Sequence, residues 1–137
     1  MVQIDIDYLG NLRTIALHTP SNTELVTDAP KDNQGMGESF SPTDLLATAY
    51  GTCVLTIMGI AARTHSIDLS GASITVEKHM KSEPKRMVGQ LNAHLTFARE
   101  YTEKEMAILM AIPRSCPVSL SLHPDIIINI THSIKAS

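Results

Sequence analysis

One stretch constrains the fold more than any other: the chain carries no charged side chain from Leu45 to Ala62. This length reaches the lower edge of what crosses a lipid bilayer. Threonines, glycines and a tyrosine interrupt the apolar surface, however, and this pattern favours a helix buried in a folded protein over a membrane span. The sequence therefore predicts a long central helix that other elements must cover, and no membrane association.

The start of this helix is marked by three residues. Ser41 is a good N-cap, Pro42 suits the first helical position, and Asp44 lies where a capping box needs its second member. A helix from Pro42 to about Thr64 is roughly 34 Å long at about 1.5 Å per residue. Because it is apolar on nearly every side, a sheet or another subunit must wrap it.

Predicted strands precede the helix. Apolar and polar residues alternate in residues 2–8, and Gly10-Asn11 offers a two-residue turn into residues 12–18. A third strand is predicted at residues 23–28. The irregular residues 29–41 are interpreted as a solvated connection, with a mobile flap as the alternative.

After the helix the same alternation recurs, and the sequence predicts strands at residues 72–80, 88–98 and 125–134. Thr102 and Glu105 form a capping box for a second helix, and a short third helix follows from Pro117. The order is β-β-β-α-β-β-α-α-β, which indicates an α+β fold with antiparallel sheet around the central helix. The 137 residues suit a single domain, 1–137.

Charge argues against several classes of partner. The net charge is −3, and no run of like charges provides a surface for nucleic acid or anionic lipid. The N-terminus alternates apolar and acidic residues, so no secretory signal is visible. We therefore expect a cytoplasmic protein with reduced thiols.

The chain has two cysteines, Cys53 on the apolar helix and Cys116 directly before Pro117. Cys116 is a plausible N-cap, where exposed N–H groups stabilise a thiolate and lower the thiol pKa from about 8.5. Free cysteine is also among the most buried residue types, so packing and reactivity both stay open at each position. The six histidines show no paired zinc-ligand spacing, so no metal or other cofactor is predicted. None of them is singled out as the base of a cysteine–histidine nucleophile.

The pairing of Ser-Pro-Thr-Asp-Leu-Leu-Ala at residues 41–47 with Cys53, and of Cys116 with Pro117-Val118, resembles the OsmC/Ohr family of thiol-dependent peroxidases. The resemblance spans nearly the whole chain and includes Val-Thr-Asp-Ala-Pro at residues 26–30. It implies an intertwined homodimer with each long helix buried and the active sites at the subunit interface. It also implies a role in oxidative-stress defence.

The resemblance further implies roles for individual residues. Cys53 would attack the peroxide, organic and also hydrogen peroxide, and Cys116 would resolve the product before an external dithiol reduces both. The family's arginine comes from the N-terminal strands, which makes Arg13 the candidate partner of the thiolate. Arg114, two residues before Cys116, is a second candidate on proximity in the sequence alone.

The family pattern departs from this sequence at one position. Where the peroxidases have a glutamate, the chain has Thr43, and the adjacent Asp44 is the candidate carboxylate. One residue along a helix rotates a side chain by about 100°, so the Asp44 carboxylate points in a different direction from a glutamate at position 43. The alternative function is therefore a family member without peroxidase activity, whose interface pocket binds a small apolar or electrophilic ligand.

Overall fold

The computed structural model describes residues 1–135 and contains two compact units, Met1–Leu46 and Ala47 onward. The predicted order of elements is confirmed, with two additional 3-10 turns at Lys31–Asn33 and Ile112–Arg114. The elements are β1 (Ile4–Gly10), β2 (Arg13–His18), β3 (Thr23–Asp28), α1 (Pro42–Thr64), β4 (Ser73–Lys81), β5 (Met87–Phe97), α2 (Glu103–Met110), α3 (Pro117–Ser121) and β6 (Ile127–Ile134).

The first unit contains an antiparallel meander in the order β1-β2-β3. The turn between β1 and β2 lies one residue later than predicted, because the register shifts after Tyr8 and Gly10 pairs with Arg13. Asn11 and Leu12 form the turn and have positive φ angles of 54° and 64°. Positive φ at both central residues matches the right-handed twist of the strands that such a turn joins.

Residues 29–41 are hydrogen-bonded back onto the strands of the first unit. The Asp28 N–H donates to the Phe40 carbonyl, and the Ser39 hydroxyl donates to the Val26 carbonyl at 2.8 Å. Gly35 passes so close to Ala29 that a Cβ atom would lie 1.8 Å from the Ala29 carbonyl oxygen. The segment is therefore a connection with its own hydrogen bonds, and only glycine fits at position 35.

Helix α1 begins and ends where the sequence predicts, and it enters the second unit at Ala47. Its buried residues recur every three or four positions and so share one face: Ala47, Tyr50, Gly51, Val54, Met58 and Ala62. A Cβ atom at Gly51 would lie 2.9 Å from the Val76 side chain, so the helix packs tightly on β4. By length and composition α1 could cross a membrane, and a third of its apolar window is buried within the described chain.

The sheet of the second unit has the order β4-β5-β6. The central strand, β5, supplies much of the core through Val88, Leu91, Ala93, Leu95 and Phe97. Strands β4 and β5 are antiparallel as predicted, whereas β5 and β6 are parallel. The parallel pair is possible because α2 and α3 lie between these strands in the chain, and parallel strands need a crossover of a dozen or more residues.

Both predicted capping boxes form. Ser41 and Asp44 exchange hydrogen bonds between side chain and backbone at 3.1 and 2.9 Å, at the start of α1. Thr102 and Glu105 do the same at the start of α2. Each box satisfies backbone N–H groups that have no partner inside the helix, and so it fixes the residue at which the helix begins.

Candidate active site

Helix α1 carries Cys53 beside its buried face, one turn after Tyr50. The Cys53 side chain is partly exposed, and Cys53 contains one of two free thiols in the chain. Neighbouring positions on the helix, Val54 and Tyr50, are completely buried. Cys53 therefore lies at the margin between the core and a surface from which a small molecule can approach.

Cys116 is the N-cap of α3, as the sequence predicts, with Pro117 at the first helical position. Its backbone N–H donates to the Ile112 carbonyl at 3.1 Å, and its carbonyl accepts the Ser119 hydroxyl at 2.9 Å. The side chain is fully buried. The 3-10 turn before it and the helix after it thus fix Cys116 on both sides.

The two thiols interact directly, although they lie 63 residues apart in the sequence. Burial raises the pKa of Cys116, but hydrogen bonds outweigh this effect and the net pKa is lowered. The donors are the Ser119 hydroxyl and N–H, the Cys53 thiol and the Val118 N–H. Cys116 is therefore the member of the pair that more readily becomes a thiolate.

Cys53 shows the opposite shift. Burial is the main cause that raises its pKa, and the hydrogen bond and charge interaction with Cys116 raise it further, against a hydrogen bond from the Val118 N–H. The two directions make Cys53 the hydrogen-bond donor and Cys116 the acceptor when the pair loses one proton. Transfer of the charge to Cys53 requires a cation close to Cys53.

Tyr50 connects the helix of Cys53 to the turn that precedes Cys116. Its hydroxyl donates to the Pro113 carbonyl at 2.9 Å, and the side chain is completely buried. Burial raises the pKa of Tyr50 to about 12, so the phenol is neutral at physiological pH. Sequence reasoning did not select Tyr50, although its position one turn before Cys53 in an apolar helix is a usable signal.

Arg13 lies in the first unit, at the start of β2. Its guanidinium contacts the Glu38 carboxylate at 2.5 Å and the Asp28 carboxylate at 3.6 Å. Asp28 is buried, and it accepts the Glu38 N–H at 2.9 Å. The hydrogen bond with Glu38 is the main cause that raises the pKa of Arg13. Arg13 is thus a fixed cation held by two carboxylates.

The two remaining candidates, Asp44 and Arg114, each form a hydrogen bond with the backbone. The Asp44 carboxylate accepts the Ser41 N–H in the capping box, and its catalytic role stays a prediction. Arg114 donates to the Ile128 carbonyl at 3.0 Å, which ties the turn before Cys116 to β6. The carboxylate that pairs with Arg13 is Glu38, which the sequence analysis missed because residues 29–41 lack the periodicity that orients side chains in helices and strands.

Two further features concern ligands. Within residues 1–135, no three His, Cys, Asp or Glu side chains form a group that could hold a metal ion. A cavity of about 370 Å³ lies on β4, β5 and β6, lined by Thr75, Glu77, Asn92, Ala93, His94, Asn129 and Thr131. Neither cysteine lines this cavity, so it is separate from the thiol pair.

The sequence model of the OsmC-like proteins matches residues 35–131, which include both cysteines, Glu38 and Tyr50. The chain belongs to the OsmC family. Arg13 lies outside the matched residues, so its role at the thiol site stays a prediction. No curated protein matches the sequence.

Solved structures of OsmC-like proteins share the fold over nearly the whole chain. A protein from Psychrobacter arcticus, described as an osmotic stress induced and detoxification response protein, is 45% identical. The match has a TM-score of 0.91 and covers 97% of this chain and 96% of the other.

More distant structures show the fold alone. An organic hydroperoxide resistance protein from Legionella pneumophila is 18% identical, with a TM-score of 0.77 and coverage of 97% and 96%. One from Vibrio cholerae, with captopril bound in one of its active sites, is also 18% identical, with a TM-score of 0.73 and coverage of 95% and 90%. The predicted α+β fold of the OsmC family is therefore confirmed.

Proposed function

We propose that this OsmC-family protein is a thiol-dependent peroxidase that reduces organic hydroperoxides, and also hydrogen peroxide, in defence against oxidative stress. Cys53 is the peroxidatic residue and Cys116 the resolving residue. The observation that carries the proposal is the direct interaction of these two thiols. Neighbours of the same fold described as organic hydroperoxide resistance proteins support it.

The reaction follows from the chemistry of the pair. The Cys53 thiolate attacks one peroxide oxygen and the O–O bond breaks, so that Cys53 becomes a sulfenic acid, while the departing alkoxide takes up a proton from water and leaves as the alcohol. The Cys116 thiolate then displaces water from this sulfur and a disulfide forms. An external dithiol reduces the disulfide by thiol–disulfide exchange and restores both thiols. Exposure supports this order, because Cys53 is partly exposed and Cys116 is buried.

The first step needs the negative charge on Cys53, whereas the lowered pKa belongs to Cys116. We propose that Arg13 supplies the positive charge that stabilises the Cys53 thiolate. Glu38 holds the Arg13 guanidinium, and takes the role that the family gives to a glutamate at the position of Thr43. Asp44 remains the alternative carboxylate.

We also propose that the active protein is a cytoplasmic homodimer. Within the chain, α1 leaves much of its apolar surface uncovered, and Ile60 is 57% exposed. The first unit exposes Ile4, Ile6 and Tyr8 along β1. A second copy that covers these surfaces would explain why so apolar a helix is only partly buried within one chain. Neither nucleic acid nor a membrane is a proposed partner.

Mass spectrometry after equimolar cumene hydroperoxide tests the function. We expect the reduced protein to lose about two mass units as the Cys53–Cys116 disulfide forms, and we expect Cys53→Ser to show no such loss. Hydrogen peroxide is the comparison substrate. The disulfide must map to these two cysteines, and an added dithiol must reverse it.

Survival of both thiols for minutes in equimolar peroxide would contradict the peroxidase. The same fold would then bind a small apolar or electrophilic ligand at the interface of the dimer, with the thiols as sensors or packing groups. Chemical alkylation of Cys53 by an electrophile, faster than that of a free cysteine, would favour this second function.

A further inference from the structure

Tyr50 joins the helix of Cys53 to the chain segment of Cys116 by a buried hydrogen bond. It lies three residues before Cys53, one turn away on the same side of α1. Its hydroxyl donates to the carbonyl of Pro113, three residues before Cys116, at 2.9 Å. The proposed peroxidase reaction does not itself use this buried phenol.

The segment between Pro113 and Cys116 is tight. The Ser115 N–H and the Cys116 N–H both donate to the Ile112 carbonyl, at 2.9 and 3.1 Å. Because Ile112, Ser115 and Cys116 share these bonds, a shift of Pro113 shifts the Cys116 backbone with it. A bond to the Pro113 carbonyl therefore acts on the position of the Cys116 sulfur.

We infer that Tyr50 is a positioning residue of the thiol pair: its bond to Pro113 holds the turn of Cys116 against the helical turn of Cys53. This inference deepens the proposed function and rests on it for the peroxide step. The juxtaposition of the thiols by Tyr50 can be measured without peroxide. Burial raises the pKa of Tyr50 to about 12, so it remains a neutral donor throughout.

The step that depends on this position is disulfide closure. The Cys116 thiolate sulfur forms a bond to the sulfenic sulfur of Cys53, the S–O bond breaks, and the departing hydroxide takes up a proton to leave as water. Closure requires a near-attack geometry of two sulfurs, and small losses of alignment lower such rates strongly. The first step, attack of Cys53 on peroxide, needs no such alignment with Cys116.

The test substitutes Tyr50→Phe, which keeps the buried ring and removes only the hydroxyl. We expect disulfide closure to slow about tenfold, the size expected from loss of one buried hydrogen bond, while formation of the Cys53 sulfenic acid keeps its rate. Dimedone, which alkylates sulfenic acid, followed by mass spectrometry separates the two steps. The variant should accumulate the dimedone adduct, whereas the unchanged protein should form disulfide.

Tyr101→Phe is the matched control. The Tyr101 hydroxyl donates to the Asp68 carbonyl at 2.7 Å in the same unit, so the control also loses a bond from a tyrosine hydroxyl to a backbone carbonyl, at a more exposed place away from the cysteines. We expect it to lower the midpoint of thermal unfolding without slowing closure. Equal slowing in both variants would overturn the positioning role, because it would reflect general loosening of the unit.

Oxidation by diamide separates this inference from the peroxidase proposal. Diamide accepts two electrons and two protons from a dithiol, and so it closes the disulfide without peroxide. Slower closure by diamide in Tyr50→Phe supports the inference even if peroxide leaves the unchanged protein reduced, which would contradict the proposed function alone. Closure at the rate of the unchanged protein with diamide would overturn the inference.

Should Tyr50→Phe fail to fold, Arg114→Met provides a second variant. It removes the bond from Arg114 to the Ile128 carbonyl, which anchors the same turn from the side of β6. We expect closure by diamide to slow severalfold there, since the turn of Cys116 gains freedom. An unchanged closure rate would show that anchoring of this turn does not control the thiol pair, and would overturn the inference.

Discussion

The two units of the chain differ in what covers their apolar side chains. Among the described residues, every buried hydrophobic side chain lies in the second unit, from Ala47 to Cys116. The first unit buries only polar side chains: Thr27, Asp28 and Ser41. Its exposed apolar residues are numerous: Met1, Val2, Ile4, Ile6, Tyr8, Leu9, Leu12, Leu25, Val26, Met36 and Phe40.

The pattern of the first unit is nevertheless that of a sheet with an apolar face. Ile6 pairs with Ala16, and Ala16 pairs with Leu25, so an apolar row crosses all three strands. Burial of such a row is what usually stabilises a sheet, yet Ile6 and Leu25 are exposed in the single chain. The difference teaches that the second unit has its own core, whereas the first depends on further contacts, which the proposed homodimer would supply.

Truncation of a core residue in the second unit should have the largest effect. Leu95→Ala removes a fully buried side chain from β5, and we expect the free energy of unfolding to fall by about 2–5 kcal/mol. Leu25→Ala, in the apolar row of the first unit, is the control and should cost less than about 1 kcal/mol at concentrations where the chain is monomeric. Urea unfolding at several protein concentrations measures the free energy of unfolding of both variants. Equal losses of this free energy in the monomer would contradict the claim that only the second unit has its own core.

Introduction of a charge into the apolar row should separate the proposed subunits. Ile6 is 64% exposed in the single chain, so Ile6→Glu should leave the core of the second unit folded and weaken the dimer. We expect a cost of about 3 kcal/mol or more per dimer, since each interface contains the change twice, which is roughly a hundredfold or more in Kd.

Sedimentation equilibrium measures this dissociation constant. Ile127→Glu is the control, because Ile127 is 57% exposed but pairs with Gln90 in the second sheet, beside polar side chains. Its dimer constant should stay within a few-fold of the unchanged protein. Equal weakening by both variants would contradict an interface centred on β1, and no weakening by Ile6→Glu would contradict its use of this strand.

The order of elements and the location of both thiols were predictable because strong local signals coincide with tertiary structure. Proline at the first helical position and capping residues placed the starts of α1 and α2, and Pro117 placed Cys116 at an N-cap. Period-two alternation indicated four of the six strands, and a predicted turn placed β2 after β1. These signals act over a few residues, which is why they can be identified in a single sequence.

The charges around Arg13 and the bond of Tyr50 could not be predicted in the same way. Glu38 reaches Arg13 from an irregular segment whose shape depends on hydrogen bonds to β3, and no periodicity describes it. The Tyr50–Pro113 bond joins residues 63 positions apart. The parallel pairing of β6 likewise depends on the path of a long connection. Each of these features is set by tertiary contacts.

Arg13 provides the next test of the proposed site. Burial raises the pKa of Cys53, so the rate of sulfenic acid formation should increase with pH as the thiolate forms. Without the positive charge of Arg13, the thiolate is less stable, and the profile should move to higher pH by about one to two units. Arg13→Met should therefore react about ten- to a hundredfold more slowly at neutral pH.

Stopped-flow kinetics with cumene hydroperoxide at several pH values measures this shift, in a Cys116→Ser background that isolates the first step. Arg63→Met is the control, because Arg63 lies near the C-terminal end of α1, about three turns from Cys53. If the pH dependence of the rate does not move after Arg13→Met, the Arg13 charge does not stabilise the Cys53 thiolate. Arg13 then only forms ion pairs within the first unit.

Glu38→Gln should give the smallest effect. The amide keeps the shape of the side chain and can still accept from the Arg13 guanidinium, but it removes the charge that fixes the guanidinium at 2.5 Å. We expect attack on peroxide to slow about two- to fivefold, because Arg13 retains its charge and its contact with Asp28. Asp44→Asn, measured in parallel, decides between the two carboxylates: a larger loss there than in Glu38→Gln would return the supporting role to Asp44. A larger loss in Glu38→Gln would mean that Glu38, from the connection before α1, takes the role of the glutamate that the family has at the position of Thr43.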